Sequence, residues 1–222
     1  MAGSEFFPRI VVQLGPIEVT ETVIYSLIVS AMLIGLALVV RAGLSNRPTS
    51  WQIAVEFLVE HFEGVMRDMF NGDPRACTPL IVTLALFIGT ANLLGLVPGL
   101  RSPTGDFSTT AALAVIVFLA VPFYGIRARG VSGYLKHYLE PTPWLLPLEI
   151  ISEFSRTLAL AVRLFGNIVS EELVIAVLLG IAGLLVPVPI MMLAVLTSLV
   201  QAYIFAVLAV VYLSAAVRTQ TE

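Results

Sequence analysis

Charge is what this sequence has least of. Of its 222 residues only 12% are Asp, Glu, Lys or Arg, against roughly 25% in soluble domains. Hydrophobic residues make up 58%, and the mean hydropathy is +0.97. That balance argues against a soluble all-α domain and predicts an integral membrane protein lodged in a lipid bilayer. Cys77 is the only cysteine, so no internal disulfide forms. The two histidines, His61 and His137, stand apart from each other and from any thiol, so no metal site and no cofactor is expected. A net charge of −3 leaves no basic footprint for nucleic acid. No nucleophile–base pair suggests an intramembrane enzyme, and the chain is read as non-catalytic. The N-terminus lacks a basic segment before its first apolar run, so a cleaved signal peptide is not expected. Internal repeats are also missing. They would be wanted by the main alternative, a secondary ion transporter with its own midplane substrate site.

Long apolar runs are plentiful, and they give an all-α membrane fold of about five crossing helices in one domain, 1–222. Residues 1–21 read as an external tail and 23–40 as a first span. Residues 51–70 alternate with helical period. Trp51, Val55, Leu58, Phe62, Val65 and Met69 fall on one side, with Gln52, Glu56, Glu60, Glu63 and Arg67 opposite. Such a helix suits either the membrane interface or the surface of another subunit. Spans at 80–97 and 108–126 follow, then a basic-aromatic loop over 127–143. Two long helices close the chain, 145–180 and 189–217, too long for perpendicular crossing and therefore read as a tilted hairpin. Arg41, Arg47, Arg67, Arg75, Arg127, Arg129, Lys136 and Arg218 fall on one side of this layout, and only Arg9 and Arg101 on the other. The asymmetry predicts an external N-terminus and a cytoplasmic C-terminus.

The first helix of that hairpin carries the chemistry. It is apolar enough to span, yet it holds Glu149, Glu153, Arg156, Arg163, Asn167, Glu171 and Glu172. A charge near the bilayer centre costs about 2.5–3.5 kcal/mol on insertion scales and usually marks an ion path or a partner charge. Arg163 is the sharpest case, because guanidinium keeps its proton in proteins. At about 100° per residue, Glu149, Arg156, Arg163 and Asn167 share one stripe, and Glu172 points to the opposite side. Carboxylates thus lie on both sides of a fixed positive charge. The pattern suits two ion-access routes parted by an electrostatic plug, or a helix whose charges pair structurally inside a larger complex. Asp106, before the polar start of the 108–126 span, is either a helix cap or part of an aqueous vestibule. In the last helix Ala194, Ser198, Ala202 and Ala206 recur every fourth residue and permit close helix approach. Counting from the hairpin turn brings Gln201 to within about 6 Å of the depth of Arg163, where its carbonyl could face the guanidinium.

The stretch LAVRLFGNIVSEEL at 160–173 resembles the signature of subunit a of F-type ATP synthases. ANLLGLVPG at 91–99, SPTGDFSTTAALA at 102–114 and LVQAYIFAVLAVVYLS at 199–214 resemble other segments of that family, in the family's order. The resemblance implies a non-catalytic stator subunit in the bacterial inner membrane, in a rotary complex with a c-subunit ring and a b-subunit peripheral stalk. Two half-channels would carry a proton or sodium ion to and from the ring. Arg163 would be the essential arginine between them. Asn167, Glu172 and Gln201 would line the outer route, and Glu149 would mark the cytoplasmic one, with Arg156 at an often basic or polar position. Glu171 is an addition to the family pattern, and Ala194 stands where several members carry an ionisable group. The double glutamate and the short N-terminus resemble the alternative sodium-type branch of the family.

Overall fold

The computed structural model describes residues 10–14, 17–42, 50–70, 76–97, 100–139, 144, 146–183 and 186–217. Two short strands, β1 (Ile10–Leu14) and β2 (Ile17–Thr20), form an antiparallel hairpin within the segment read from the sequence as a tail. Helices then follow one another: α1 (Glu21–Ala42), α2 (Ser50–Met69), α3 (Thr78–Leu94), α4 (Phe107–Leu139), α5 (Leu146–Ala182) and α6 (Pro187–Val217). A 3-10 turn, Pro103–Gly105, joins α3 to α4. Four of the helices, α1, α4 over Phe107–Val131, α5 and α6, are long and apolar enough to cross a membrane. The 17-residue α3 is the shorter fifth apolar helix. The all-α membrane fold expected from composition is what the chain adopts.

One boundary differs in kind from the sequence reading. The segment from Arg127 to Leu139, expected as loop, continues α4 as helix with a break at Gly130, where φ is +75°. Between Pro122 and the end of α4 no proline removes a backbone donor, so the chain changes direction at glycine instead of ending its helix. The returning segment lays the Tyr134 ring on Gly125, where a Cβ would sit 2.5 Å from the ring. Side chains at 135–143 lie outside the described residues, as do the tail residues 1–9, so Arg9 and Lys136 are not placed.

The core is assembled by α2 to α6. Phe62, Met66 and Phe70 turn the apolar face of α2 onto Ile81, Ala85 and Ile88 of α3 and onto Phe205 and Ala209 of α6. Its opposite face keeps Glu56, Glu60, Arg67 and Asp68 exposed. The small-residue row of α6 is buried, with the Ala202 Cβ 3.6 Å from where a Cβ of Gly89 would stand. That row therefore brings α6 close to α3. At the end of α3, Gly95 lies under Ser102, leaving only 2.6 Å between its would-be Cβ and that of Ser102. The tight fit fixes the turn into α4.

This fit yields a stability prediction. Gly95→Ala must push apart two backbones, because the Ser102 N and Cα atoms are also within 3.2 Å. Detergent-solubilised protein carrying it should lose roughly 1–3 kcal/mol, the usual range for overpacking, and melt earlier. Gly35→Ala in α1 meets nothing within 4 Å and should melt no earlier than the parent chain.

Candidate functional site

The hairpin of α5 and α6 builds the site. Its register is set by two cross-helix hydrogen bonds. Asn167 Nδ2 donates to Gln201 Oε1 at 2.9 Å. Thr197 Oγ1 donates to Glu171 Oε1. Positions 167 and 171 are one turn apart on α5, and 201 and 197 one turn apart on α6, so the bonds form successive rungs of an antiparallel ladder. One turn further along, the same register places Arg163 level with Phe205.

Around the ladder, at the end where α5 meets α6, further polar groups converge. Glu172 accepts a hydrogen bond from the Ser102 backbone N–H and lies in electrostatic range of Arg101. Its carboxylate oxygens rest 3.2 and 3.5 Å from where a Cβ of Gly105 would be, so the glycine leaves room for them. Behind this turn, Ser102 Oγ lies 3.0 Å from the Ala91 carbonyl and 2.5 Å from Thr104 Oγ1, and its single proton serves one or other of these acceptors. Thr104 Oγ1 donates to Asn92 Oδ1 at 2.6 Å, and Asn92 Nδ2 donates to the Ser198 carbonyl at 3.4 Å. Asp106 accepts from the Ser108 N–H at 3.0 Å and from the Ser108 hydroxyl at 2.5 Å. It caps the start of α4, the first of its two sequence-level readings. Two buried atoms of α6, Ser198 Oγ and Gln201 Nε2, have no hydrogen-bond partner among the described residues. Buried polar atoms in that position call for a guest such as water or a hydrated ion.

A second polar cluster occupies the opposite end of α5. Glu149, Glu153, Arg156 and Thr157 line a cavity of about 80 Å³, closed by Tyr134 of α4 and Tyr212 of α6. Between the two clusters the interhelical space is apolar. Leu160, Ala161 and Leu164 of α5 meet Phe205, Ala206 and Ala209 of α6 there, each at most 3% exposed.

Arg163 is in neither cluster. Its side chain is exposed, and among the described residues it makes no hydrogen bond or ion pair. The Gln201 carbonyl, which the sequence suggested as its acceptor, takes the Asn167 amide instead. The face around Arg163 is lined by the small residues Ser155, Ala159, Gly166 and Ser170, all within about 80° of it on the helix. Exposed Ile151, Phe154, Leu158 and Val162 continue that open surface. The sequence reading missed this small-residue face on α5, although its spacing was visible. It also missed Thr197, which lies one helical turn from Gln201, and the two tyrosines, whose role depends on the fold-back at Gly130.

Comparison with known proteins gives this arrangement its context. Residues 23–214 match the model of the family described as ATP synthase A chain. The chain is 46% identical over 209 residues to ATP synthase subunit a 1 of Hahella chejuensis, covering 94% of this chain and 89% of that protein. It is 47% identical over 208 residues to ATP synthase subunit a 2 of a Picosynechococcus species, covering 93% and 89%. Against ATP synthase subunit a 1 of Prosthecochloris aestuarii the figure is 45% over 215 residues, 96% of either chain. With a match along nearly its whole length, and with its run of membrane-length apolar helices, this chain belongs to the ATP synthase A chain family as a multi-pass membrane protein.

Proposed function

We propose that the chain is the stator subunit that carries ions to and from a rotating c-subunit ring in the bacterial inner membrane. The ring lies against the open face of α5, and a b-subunit stalk holds the assembly still. The cluster at the α5–α6 turn, with Asn167, Glu171, Glu172 and Gln201, opens to the outside. The cavity with Glu149, Glu153 and Arg156 opens to the cytoplasm, which puts the N-terminus outside and the C-terminus inside, in line with the basic-residue count. The observation that carries this reading is the pairing of two polar clusters with an apolar stretch between them and an unpartnered Arg163 at that level.

The physics of Arg163 explains why such a layout moves ions. A carboxylate on a ring facing lipid must be neutral, either protonated or ion-bound, because the bare anion is costly to place there. Beside a guanidinium the anion is favoured, so the ion leaves into one route. Past Arg163 the carboxylate reloads from the other route before it meets lipid again. The fixed charge also repels a cation trying to pass straight between the routes. Lysine would serve less well, since its pKa falls readily on burial and the plug would then lose its charge. The small residues beside Arg163 allow a ring helix to come close enough for the charges to meet.

Two experiments test this. Arg163→Ala should abolish ion-driven ATP synthesis in membrane vesicles while the complex still assembles, as judged by co-purification of ring and catalytic head. Normal synthesis by the assembled variant would refute the proposal. Orientation is read by cysteine labelling in intact cells. Native Cys77 is a quiet background, being buried with its thiol pushed up to about 11 by desolvation. Ala128→Cys should react with a membrane-impermeant maleimide only after the cytoplasmic side is exposed, and Leu100→Cys without it. The reverse pattern would invert the topology.

A further inference from the structure

Two adjacent glutamates on one helix cannot do the same work, since their side chains diverge by about 100°. Here each has a different set of partners. Resting on the function proposed above, we infer that Glu171, with Thr197 as its positioning residue, is the carboxylate that passes the ion along the ladder toward Arg163, while Glu172 is anchored to the α3–α4 turn.

Glu171 faces α6. It receives the Thr197 hydroxyl, and the next rung, Asn167 to Gln201, lies one turn closer to Arg163. Positions 171, 167 and 163 therefore step along α5 at about 6 Å intervals, each with a polar or charged group. Gln201 Nε2, unpartnered among the described residues, belongs to the same amide as the rung's acceptor and leaves donor capacity for a hydrated ion's water on its way.

Thr197 has a second option. Its Oγ1 is 3.1 Å from the Ala194 carbonyl and 3.2 Å from the Leu193 carbonyl. A hydroxyl has one proton to give, and a helical threonine ordinarily gives it to a carbonyl three or four residues back. When Glu171 is an anion, the proton points to it and helps hold the charge. When Glu171 carries its ion, the hydroxyl turns back to its own helix and stays satisfied. Thr197 thus steadies both states of Glu171 without an unpaired polar group in either.

Glu172 has no such freedom. It is held by the Ser102 N–H, with Arg101 nearby, and it sits over Gly105 of the α3–α4 turn. These contacts fix its position at the α3–α4 turn. Its place is the rim of the route, where it attracts cations and ties α5 to the turn. The family resemblance alone would give the transferring role to Glu172; the contacts give it to Glu171.

The test uses the whole ATP synthase assembled with this chain, reconstituted in liposomes, with ion flux measured under an imposed gradient. Thr197→Val keeps the shape and removes the hydroxyl. It should slow flux on the order of ten-fold, the size expected for a lost hydrogen bond to a charged group. Thr197→Ser should recover most of that loss, which a purely steric role would not allow. Glu171→Gln should slow flux more than Glu172→Gln. Wild-type flux from Thr197→Val, a serine variant as slow as valine, or a greater loss from Glu172→Gln would each overturn the inference. Arg163→Ala, run alongside, separates the two levels. If it blocks flux while Thr197→Val does not, only this assignment fails; if it leaves flux intact, the half-channel reading fails with it.

Discussion

A positive charge that cannot be neutralised, set on an apolar helix, is the constraint on which the rest of this structure turns. A guanidinium is not neutralised by burial, and among the described residues Arg163 has no ion pair. One turn to either side along α5 stand Ala159, Leu160, Gly166 and Asn167, none of them acidic. The nearest carboxylates on the same helix, Glu153 and Glu171, are about 15 and 12 Å away along the axis. Both are engaged in their own clusters. A charge left this way in a membrane protein costs several kcal/mol, so its compensation is expected from outside the subunit.

The same constraint accounts for the packing around it. Between the two polar clusters α5 and α6 pack Leu160, Leu164, Phe205 and Ala206. The register that sets it depends on the rungs at Asn167–Gln201 and Glu171–Thr197. Behind α6, the small side chains of Ala202 and Gly89 hold α6 against α3. From there Asn92, Thr104 and Ser102 carry the hydrogen bonding to the turn that holds Glu172. Core packing and site geometry are therefore one system, and a glycine such as Gly95, remote from the arginine, bears on it through Ser102.

Much of this was legible before any coordinates. Hydropathy locates the spans because backbone groups in lipid must satisfy one another within a helix. The charges of α5 stood out because apolar spans do not carry them without a reason. Other features could not be read locally. Residues 127–139 look like a basic loop, and their helicity with a reversal at Gly130 depends on what Tyr134 packs against. Asp106 could be placed only in three dimensions, where it accepts from the Ser108 N–H and hydroxyl and caps α4. The Gln201 amide reached the predicted depth, yet its partner was Asn167, because depth along an axis does not fix direction around it.

By itself, then, the sequence determined the membrane class, the approximate spans and the location of the polar groups along the last two helices, since each follows from periodicity and transfer energy within one segment. Tertiary structure decided which of those groups meet. Glu171 and Glu172 are neighbours in the chain, but one turns to Thr197 on α6 and the other to Ser102 on the α3–α4 turn. The helix wheel gives them different directions but not their partners. Their separation arises because helices from distant parts of the chain pack on two sides of α5, and the 100° between successive residues then sends adjacent carboxylates to different partners.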